Sequence, residues 1–546
     1  MVQTTKPIWS DIAAQKVAAR DALIPAEWKI APTDALNVLD VPASCGILSA
    51  QEIKITELSA EVLVQKMIDS ELKSYDVVLA FCKRAAIAQQ LTNCLTEILF
   101  EEALVAAKSI DAAYEETKTP AGLLHGLPVS LKDNFNIKGV DTTVGYIAWA
   151  NDPRTAADES EMTKVLRECG AVLFCKTNVP TAMMIAESYN NVWDYTTNPY
   201  NRGCSSGGSS GGESALIALK GSPLGVGTDI GGSLRIPASF TGIYTIKPSF
   251  GRFPTYGARS GMPGQEAVKS INGPMSSTIG GMELWAKAIV GNKPWERDPN
   301  MLPIPWREVT LPEKLCFGLI LDNGLCKPTP PVLRALQETK AALEKAGHKV
   351  VEWTAYDPPA AISLLERFFV GDGGVKIASV IAEGEEPWPK GLEAYAAAHE
   401  KATKSAPPTV GDLWTLQAER TSYAKKALDH WMASQTLTGT GRPFDGVISP
   451  TTAYSACPKY TFSNVTYTSL WNITDQSSVV FPVTFASKDD VKPEYKARSA
   501  EEAKIWDRYD PEEVVGAPVG LQMITMRLEE EKAVELVKIA RAALTA

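Results

Sequence analysis

The segment from residue 203 to residue 233 constrains the fold of this chain more than any other part of the sequence. Its 31 residues, GCSSGGSSGGESALIALKGSPLGVGTDIGGS, contain ten glycines and seven serines, whereas the whole chain of 546 residues contains 39 glycines. Each glycine adds conformational entropy that folding must overcome, so this density needs a structural reason. A flexible linker does not fit, because residues 213–220 predict a compact helix with Gly221 as its C-cap. We therefore expect tight backbone geometry that brings amides and hydroxyls close to a ligand.

Short apolar runs alternate with helical patterns along most of the chain, which is typical of an α/β protein. Residues 1–58 predict a helical lead-in, and apolar residues at helical spacing continue from 59 to 99. The Pro-rich residues 291–312 connect two halves, and length alone favours three or four domains. The predicted strands are 127–131, 171–175, 225–228, 244–246, 317–321, 349–353, 446–448, 479–483 and 520–524, and the predicted helices include 163–168, 331–346, 410–433 and 529–544.

The charge balance excludes two classes of partner. Lys and Arg total 54 and Asp and Glu total 64, which gives a formal net charge of -10 at pH 7. Nucleic acids and anionic membranes are bound by clustered basic residues, so we expect neither as a partner. The sequence also lacks an apolar run of about 18 residues, so we expect no membrane span.

Nine cysteines are spread along the chain without a Cys-x-x-Cys pair. An odd number in a long chain is typical of free thiols in a reducing compartment, and the N-terminal sequence lacks the apolar stretch of a signal peptide. We therefore expect a cytoplasmic protein. Asn464 and Asn472 begin Asn-x-Thr triplets, whose use as glycosylation sites the sequence leaves open.

Histidine is scarce, which limits the chemistry that the chain can perform. There are four histidines, none in a His-Glu-x-x-His pattern or another metal-binding cluster; they are His125, His348, His399 and His430. Zinc sites and Ser-His or Cys-His catalysts depend on imidazole. We therefore expect no metal and no cofactor.

The glycine-rich segment does not match the common phosphate-binding motifs. It has no Gly-Lys pair at P-loop spacing, and Gly225, Gly227 and Gly231 are one residue too far apart for the dinucleotide fingerprint. Residues 207–211 match Gly-x-Ser-x-Gly, the pattern of a nucleophile elbow, but the residues before them are typical of a loop rather than a strand. That alternative also needs a histidine base.

A serine hydroxyl can instead be activated by an uncharged lysine. Free lysine has a pKa near 10.4, so burial must lower the pKa by roughly three units, about 4 kcal/mol, to make a base at neutral pH. Lys132 is the candidate, because it follows a predicted strand in the apolar sequence GLPVSLKDN. A surface lysine whose stem packs on apolar groups is the alternative interpretation.

Several separate blocks resemble the amidase signature family. Residues 207–238, GGSSGGESALIALKGSPLGVGTDIGGSLRIPA, are closely similar to its signature, and HGLPVSLKDNF from His125 is similar to its lysine block. KTNVP from Lys176, TTNP from Thr196 and GAPVGLQMI from Gly516 match as well, and the similarity covers roughly residues 60–540. Residues 46–57 and 79–94 resemble fungal acetamidases and general amidases.

The resemblance implies a fold that replaces the expectation of several domains. It implies one large α/β domain, residues 59–546, with a mixed β-sheet covered by helices on both faces, after the lead-in at 1–58. One position departs from the family pattern, because Ser206 stands where the family often has proline before Gly-Gly-Ser-Ser. This departure affects the expected path of the local loop but not the chemistry.

The resemblance also implies a Ser-cisSer-Lys triad. Ser233 would be the nucleophile, Ser209 would bridge after a cis peptide bond, and Lys132 would be the uncharged base. The oxyanion hole of the family would be formed here by the backbone amides of Ile230, Gly231, Gly232 and Ser233. The family's substrate-contacting methionine would correspond to Met183. Hydrogen bonds within the site are implied for Ser210, Thr228 and Asp229, and fixation of the nucleophile loop for Arg235.

The activity implied by the resemblance is hydrolysis of a small-molecule carboxylic acid amide to the acid and ammonia or an amine. An acyl-serine intermediate and small aliphatic substrates such as acetamide are expected. Larger fatty acid or aryl amides are the first alternative, and a glutamine-amidase subunit of a tRNA amidotransferase is a weaker one. A catalytically silent scaffold of the same fold is an alternative of another class. A homo-oligomer is possible, but the sequence does not determine the oligomeric state.

Overall fold

A computed structural model describes residues 8–405 and 408–546, so the first seven residues of the predicted lead-in lie outside the described residues. Thirteen strands are present in the described part of the chain. They are β1 (Leu95–Ile98), β2 (Pro128–Lys132), β3 (Val172–Thr177), β4 (Thr197–Asn198), β5 (Asn201–Ser205), β6 (Leu224–Asp229), β7 (Tyr244–Lys247), β8 (Ile271–Ser276), β9 (Cys316–Leu319), β10 (Lys349–Glu352), β11 (Gly446–Pro450), β12 (Ser478–Phe485) and β13 (Pro518–Ile524).

Eleven of these strands form one mixed sheet in the order β1-β3-β2-β6-β8-β7-β12-β13-β11-β9-β10, and β4 pairs with β5 separately. Strands β3, β2 and β6 are parallel, as are β10, β9 and β11. The strands between these two groups pair antiparallel, and β7 pairs with β12 across the middle of the sheet. Because β12 follows the Pro-rich connection, both halves of the chain contribute to one sheet, and the chain forms a single α/β domain.

Helices make up most of the remaining regular structure in the described residues. The α-helices are α1 (Trp9–Ala22), α2 (Val41–Ser44), α3 (Ala50–Thr56), α4 (Ala60–Ile68), α5 (Ser74–Thr92), α6 (Phe100–Thr117), α7 (Glu161–Glu168), α8 (Gly211–Ala218), α9 (Arg235–Thr241), α10 (Ile279–Gly291), α11 (Pro330–Lys345), α12 (Pro358–Phe369), α13 (Val375–Glu383), α14 (Glu393–Lys404), α15 (Val410–Ala433), α16 (Gln435–Thr438), α17 (Thr466–Ile473), α18 (Ala500–Arg508), α19 (Pro511–Val514) and α20 (Glu530–Thr545). Short 3-10 helices lie at Ala26–Trp28, Ile147–Trp149, Ala156–Asp158, Thr181–Met183 and Pro294–Glu296.

Adjacent residues of β12 show that helices cover both faces of the sheet. Val479 and Phe481 pack in the same apolar cluster as Val534 of α20. Val480, between them, packs in another cluster with Ala238 of α9. Because alternate side chains of a strand point to opposite faces, α20 and α9 lie on opposite sides of the sheet.

The helical pattern predicted from 59 to 99 ends earlier than expected. Helix α5 ends at Thr92, where Asn93 takes a left-handed conformation with φ 53°, and the next residues form β1 at the edge of the sheet. Asparagine tolerates this conformation better than most residues, which explains the break. Within the glycine-rich segment, α8 ends at Ala218, and the positive φ of 56° falls on Lys220 rather than on the predicted cap Gly221.

Strand β8 was not predicted, because its sequence INGPMS contains glycine and proline. Gly273 is nevertheless suited to its place, since a Cβ there would collide with the backbone oxygen of Ile246 in the neighbouring strand. Glycine within a strand often marks such a close backbone approach. The tertiary context therefore overrides the local preference for a turn.

The parallel strands β2 and β6 position the residues that the sequence singled out. They are adjacent, with Ser130 opposite Gly225 and Leu131 opposite Val226. Lys132 is the last residue of β2, and Asp229 is the last residue of β6. In α/β sheets ligands bind outside the carboxyl ends of parallel strands, so this edge is the place to look for a site.

All nine cysteines have free thiols, as predicted, and eight of them are buried. Across residues 8–405 and 408–546, no helix combines the length and the apolar character needed to cross a membrane.

Candidate active site

Lys132 is a fully buried lysine that contacts two hydroxyl groups. Its Nζ donates hydrogen bonds to Ser209 Oγ and to Thr228 Oγ1, each at 2.7 Å, and no carboxylate of the described residues pairs with it. Burial lowers the pKa of Lys132 to about 7, although the negative charges of Asp229 and Glu213 act in the opposite direction. Roughly half of the amine is therefore uncharged near pH 7, as a lysine base requires.

Ser209 and Ser233 line the same narrow cavity, which has a volume of about 20 Å³. The peptide bond between Gly208 and Ser209 is cis. The Ser233 hydroxyl has no hydrogen-bond partner within the described residues, and the two serine side chains do not hydrogen-bond to each other. The N–H of Ser210 donates to the Ser233 carbonyl oxygen at 3.2 Å, which joins the two glycine-rich loops. A ligand in this cavity meets both hydroxyls.

The loop after β6 presents unpaired backbone amides at the same cavity. The N–H groups of Ile230, Gly231 and Ser233 have no acceptor among the residues that the structure describes, and Ile230 and Ser233 line the cavity. The structure differs from the prediction at Gly232, whose N–H donates to Asp229 Oδ1 at 2.9 Å. Three of the four predicted oxyanion-hole amides are therefore free, and the fourth binds a carboxylate of the protein.

Asp229 fixes the loop that carries these amides. Its carboxylate accepts the N–H groups of Gly232 and Leu234, the Arg235 guanidinium and the Asn472 side-chain amide. Burial alone would raise the pKa of Asp229, but the guanidinium charge and these hydrogen bonds lower it to about 2. The carboxylate is therefore ionised at neutral pH and holds the loop in one conformation.

Replacing Arg235 with methionine tests this anchor. The substitution leaves the buried Asp229 carboxylate without its cation, so we expect the free energy of unfolding to fall by about 3–5 kcal/mol. Arg367→Met removes the exposed ion pair between Arg367 and Glu419 and serves as the control, with an expected loss of about 0–1 kcal/mol. Denaturant unfolding of both variants measures the two losses, and equal losses would contradict the anchor role.

Helix α17 supplies contacts that the sequence analysis did not identify. Thr468 and Ser469 donate hydrogen bonds from their hydroxyls to the Gly231 carbonyl oxygen at 2.7 and 3.0 Å. Gly232 has φ 141°, and a Cβ there would collide with Thr468 Oγ1. These side chains orient the peptide unit next to the free amides. They lie more than 200 residues along the chain from the loop, so no local spacing could indicate them.

Glu213 is a buried carboxyl whose negative charge acts on Lys132. It accepts hydrogen bonds from the hydroxyls of Ser130 and Thr177, and burial raises its pKa to about 7. A Cβ at Gly225 would overlap this carboxyl, which explains one glycine of the predicted strand. The glycine density therefore reflects close packing, as expected, rather than a flexible linker.

The nucleophile-elbow alternative is not supported, because none of the described residues that line the cavity is a histidine. His430 stacks on Trp353 and contacts the Thr354 carbonyl oxygen, and His348 stands beside Phe317 in β9. Met183, the predicted substrate contact, also lines the cavity. Its backbone has a left-handed conformation with φ 60°.

The comparisons with known proteins agree with this geometry. The model of the amidase family matches residues 76–534. The acetamidase of Emericella nidulans is 40% identical over 535 residues, with 96% of each chain covered, and the acetamidase of Aspergillus oryzae is 39% identical, also with 96% of each covered.

Solved structures share the fold. A fatty acid amide hydrolase has a TM-score of 0.92 at 32% identity, covering 98% of this chain and 95% of its own. A bacterial aryl acylamidase has a TM-score of 0.70 at 20% identity, covering 89% and 96%, and supports the fold alone. The chain belongs to the amidase family and is a hydrolase of amide C–N bonds. The alternative of a catalytically silent scaffold is therefore not supported.

Proposed function

We propose that this protein hydrolyses small carboxylic acid amides through an acyl-serine intermediate, with Ser233 as nucleophile, Ser209 as bridge and Lys132 as base. The observation that carries the proposal is the 2.7 Å contact between the buried Lys132 amine and Ser209, in a cavity that Ser233 also lines. Hydrogen bonds in a catalytic chain are often long before substrate binds, so the unbonded pair of serines is compatible with this role.

In the proposed reaction, Ser233 Oγ attacks the amide carbonyl carbon while its proton passes to Ser209 and the Ser209 proton passes to the uncharged Lys132 amine. The free amides of Ile230, Gly231 and Ser233 stabilise the developing oxyanion. The relay then runs in reverse and protonates the leaving nitrogen, so the C–N bond breaks and ammonia or an amine departs. Water, deprotonated by the same relay, attacks the acyl-serine and releases the carboxylic acid.

The size of the cavity supports small acyl groups such as acetyl. A cavity must offer roughly 10–15 Å³ to hold one water molecule, so about 20 Å³ beside Ser233 suits a carbonyl substituent of one or two heavy atoms, such as the methyl group of acetyl. The names of the two acetamidase relatives point to the same substrate class. Acetamide is therefore the first substrate that we propose.

A second candidate is hydrolysis of longer amides. The observation in its favour is the TM-score of 0.92 to a fatty acid amide hydrolase at 32% identity. A long chain would extend beyond this cavity, past side chains such as Met183 and Met262 that line it.

A panel of amides of graded chain length distinguishes the two candidates. We expect kcat/KM to fall at least about tenfold from acetamide to hexanamide, because a longer hydrocarbon chain would lie against polar residues such as Asn134, Thr255 and Gln265 without replacing the hydrogen bonds that they make to water. Steady-state release of ammonia measures the series, with the Ser233→Ala variant as the blank for every amide. A kcat/KM that rises with chain length would favour the second candidate.

We further propose that the protein resides in a reducing compartment such as the cytoplasm. The nine free thiols support this location.

A further inference from the structure

A second cavity adjoins the one that Ser209 and Ser233 line. It has a volume of about 170 Å³, and we call it the outer cavity. The two cavities share five lining residues, which are Met183, Ile230, Ser260, Met262 and Ser270. The outer cavity is therefore the neighbouring space for a substituent of a substrate whose carbonyl lies at Ser233.

The wall of the outer cavity is largely polar. Hydrogen-bonding side chains outnumber hydrocarbon ones; the uncharged polar ones are Asn134, Thr255, Ser260, Gln265, Ser270, Asn272 and Asn300. A hydrocarbon substituent would displace water from these polar groups and would not replace the hydrogen bonds that the water made. This loss makes binding of a hydrocarbon substituent less favourable. The cavity therefore suits a substituent that carries hydrogen-bonding groups.

The charged groups of the outer cavity already have partners. Arg259 donates to the Thr142 carbonyl oxygen and lies over the ring of Trp149 at 3.6 Å from its centre. Lys269 pairs with Glu266 at 2.6 Å. A charged ligand would have to displace these contacts, so an uncharged ligand group fits better.

Asn134 differs from the other polar residues of this wall because it is buried and unpaired. It is 3% exposed, and its Oδ1 has no hydrogen-bond partner within the described residues. Its backbone is fixed, since its carbonyl oxygen accepts the Arg259 N–H at 2.8 Å. It also lies two residues after Lys132, at the carboxyl end of β2. A buried amide oxygen without a partner has lost its hydrogen bonds to water, and a ligand donor would replace them.

We propose that the outer cavity is a subsite for an uncharged polar group on the substrate, and that the Asn134 side chain binds that group. The substrate class is a short amide with a second hydrogen-bonding group, such as a hydroxyl or a second carboxamide. This inference rests on the proposed amide hydrolysis and narrows its substrate.

Pairs of amides with the same shape test the subsite. Malonamide matches 3-methylbutyramide, and succinamide matches 4-methylpentanamide, with a terminal carboxamide in place of an isopropyl group. The readout is the ratio of kcat/KM within each pair, corrected for the two equivalent amides of the diamide. We expect wild-type protein to favour at least one diamide by about tenfold, which corresponds to about 1.4 kcal/mol.

Asn134→Leu should reduce that preference about tenfold, and Asn134→Ala gives a second measurement if the larger side chain prevents folding. The ratio within one variant does not depend on how much protein is active. Asn37→Leu is the matched control, because Asn37 is exposed and lines neither cavity, and we expect its ratio to change less than about twofold.

The possible results separate this inference from the proposed function. Suppose that acetamide is hydrolysed but wild-type protein favours both hydrocarbon amides, or that Asn134→Leu and Asn134→Ala leave the kcat/KM ratios unchanged. Either result would contradict the subsite and would leave the proposed amide hydrolysis intact. If no short amide is hydrolysed at all, the proposed function fails and the subsite fails with it.

Discussion

We expect replacement of Ser233 with alanine to reduce amide hydrolysis by about 10⁴-fold or more, because the substitution removes the hydroxyl that we propose as the nucleophile. The remaining groups still bind substrate, so KM changes far less than kcat. Measurement of kcat and KM for acetamide with purified wild-type and variant protein gives the comparison.

Ser214→Ala is the matched control for the nucleophile. Ser214 is a buried serine of the same glycine-rich segment, but its hydroxyl donates to the carbonyl oxygens of Ser206 and Gly211 and does not line the cavity. We expect this variant to stay within about threefold of wild type, as is usual for a substitution away from the reacting groups. A Ser233→Ala protein that retained activity within tenfold of wild type would contradict the nucleophile assignment.

The second large effect is the dependence of activity on the charge of Lys132. In the proposed mechanism the uncharged amine is the active form, so kcat/KM should rise with pH, reach half of its maximum near pH 7 and then stay level. Protonation below pH 7 removes the base, which sets the sign of the change. Lys132→Met removes the base altogether and should lower kcat/KM at pH 8 by about 10²–10⁴-fold.

Lys247→Met is the control for the pH profile. Lys247 is also buried, and burial lowers its pKa to about 8, but its amine donates to the carbonyl oxygens of Trp471 and Gln476 and not to the catalytic serines. The activity that remains in this variant should keep its midpoint near pH 7. If the midpoint disappeared in Lys247→Met but persisted in Lys132→Met, the pH dependence of activity would come from Lys247. That result would contradict the assignment of Lys132 as the base.

The strands of the sheet were predictable where apolar residues form uninterrupted runs. All nine predicted strands occur, and most of their ends are shifted by one or two residues from the predicted positions. The long helix α15 has the predicted bounds. Strand β1 was misassigned because only Asn93 and Cys94 separate it from α5, with no glycine or proline between them, and β8 was missed because Gly273 and Pro274 resemble a turn. In each case pairing with a neighbouring strand decided the structure.

The candidate site was predictable only in part. The glycine-rich segment and the Lys132 block indicated where close backbone packing and a buried amine would occur. The support from Thr468, Ser469 and Asn472 was not predictable, because α17 reaches the loop only through the fold. The N–H of Gly232 was assigned to the ligand rather than to Asp229, since sequence cannot show which acceptor an amide meets.

The proposed mechanism requires that the Lys132 amine, in contact with Ser209, loses its proton near neutral pH. NMR titration of protein labelled with ¹³C at lysine Cε tests it most directly, with the Lys132→Met variant identifying the resonance. The account predicts a titration midpoint near 7 for Lys132. A Lys132 resonance that titrates near the value of free lysine, about 10.4, would show a charged ammonium at neutral pH and would contradict the account.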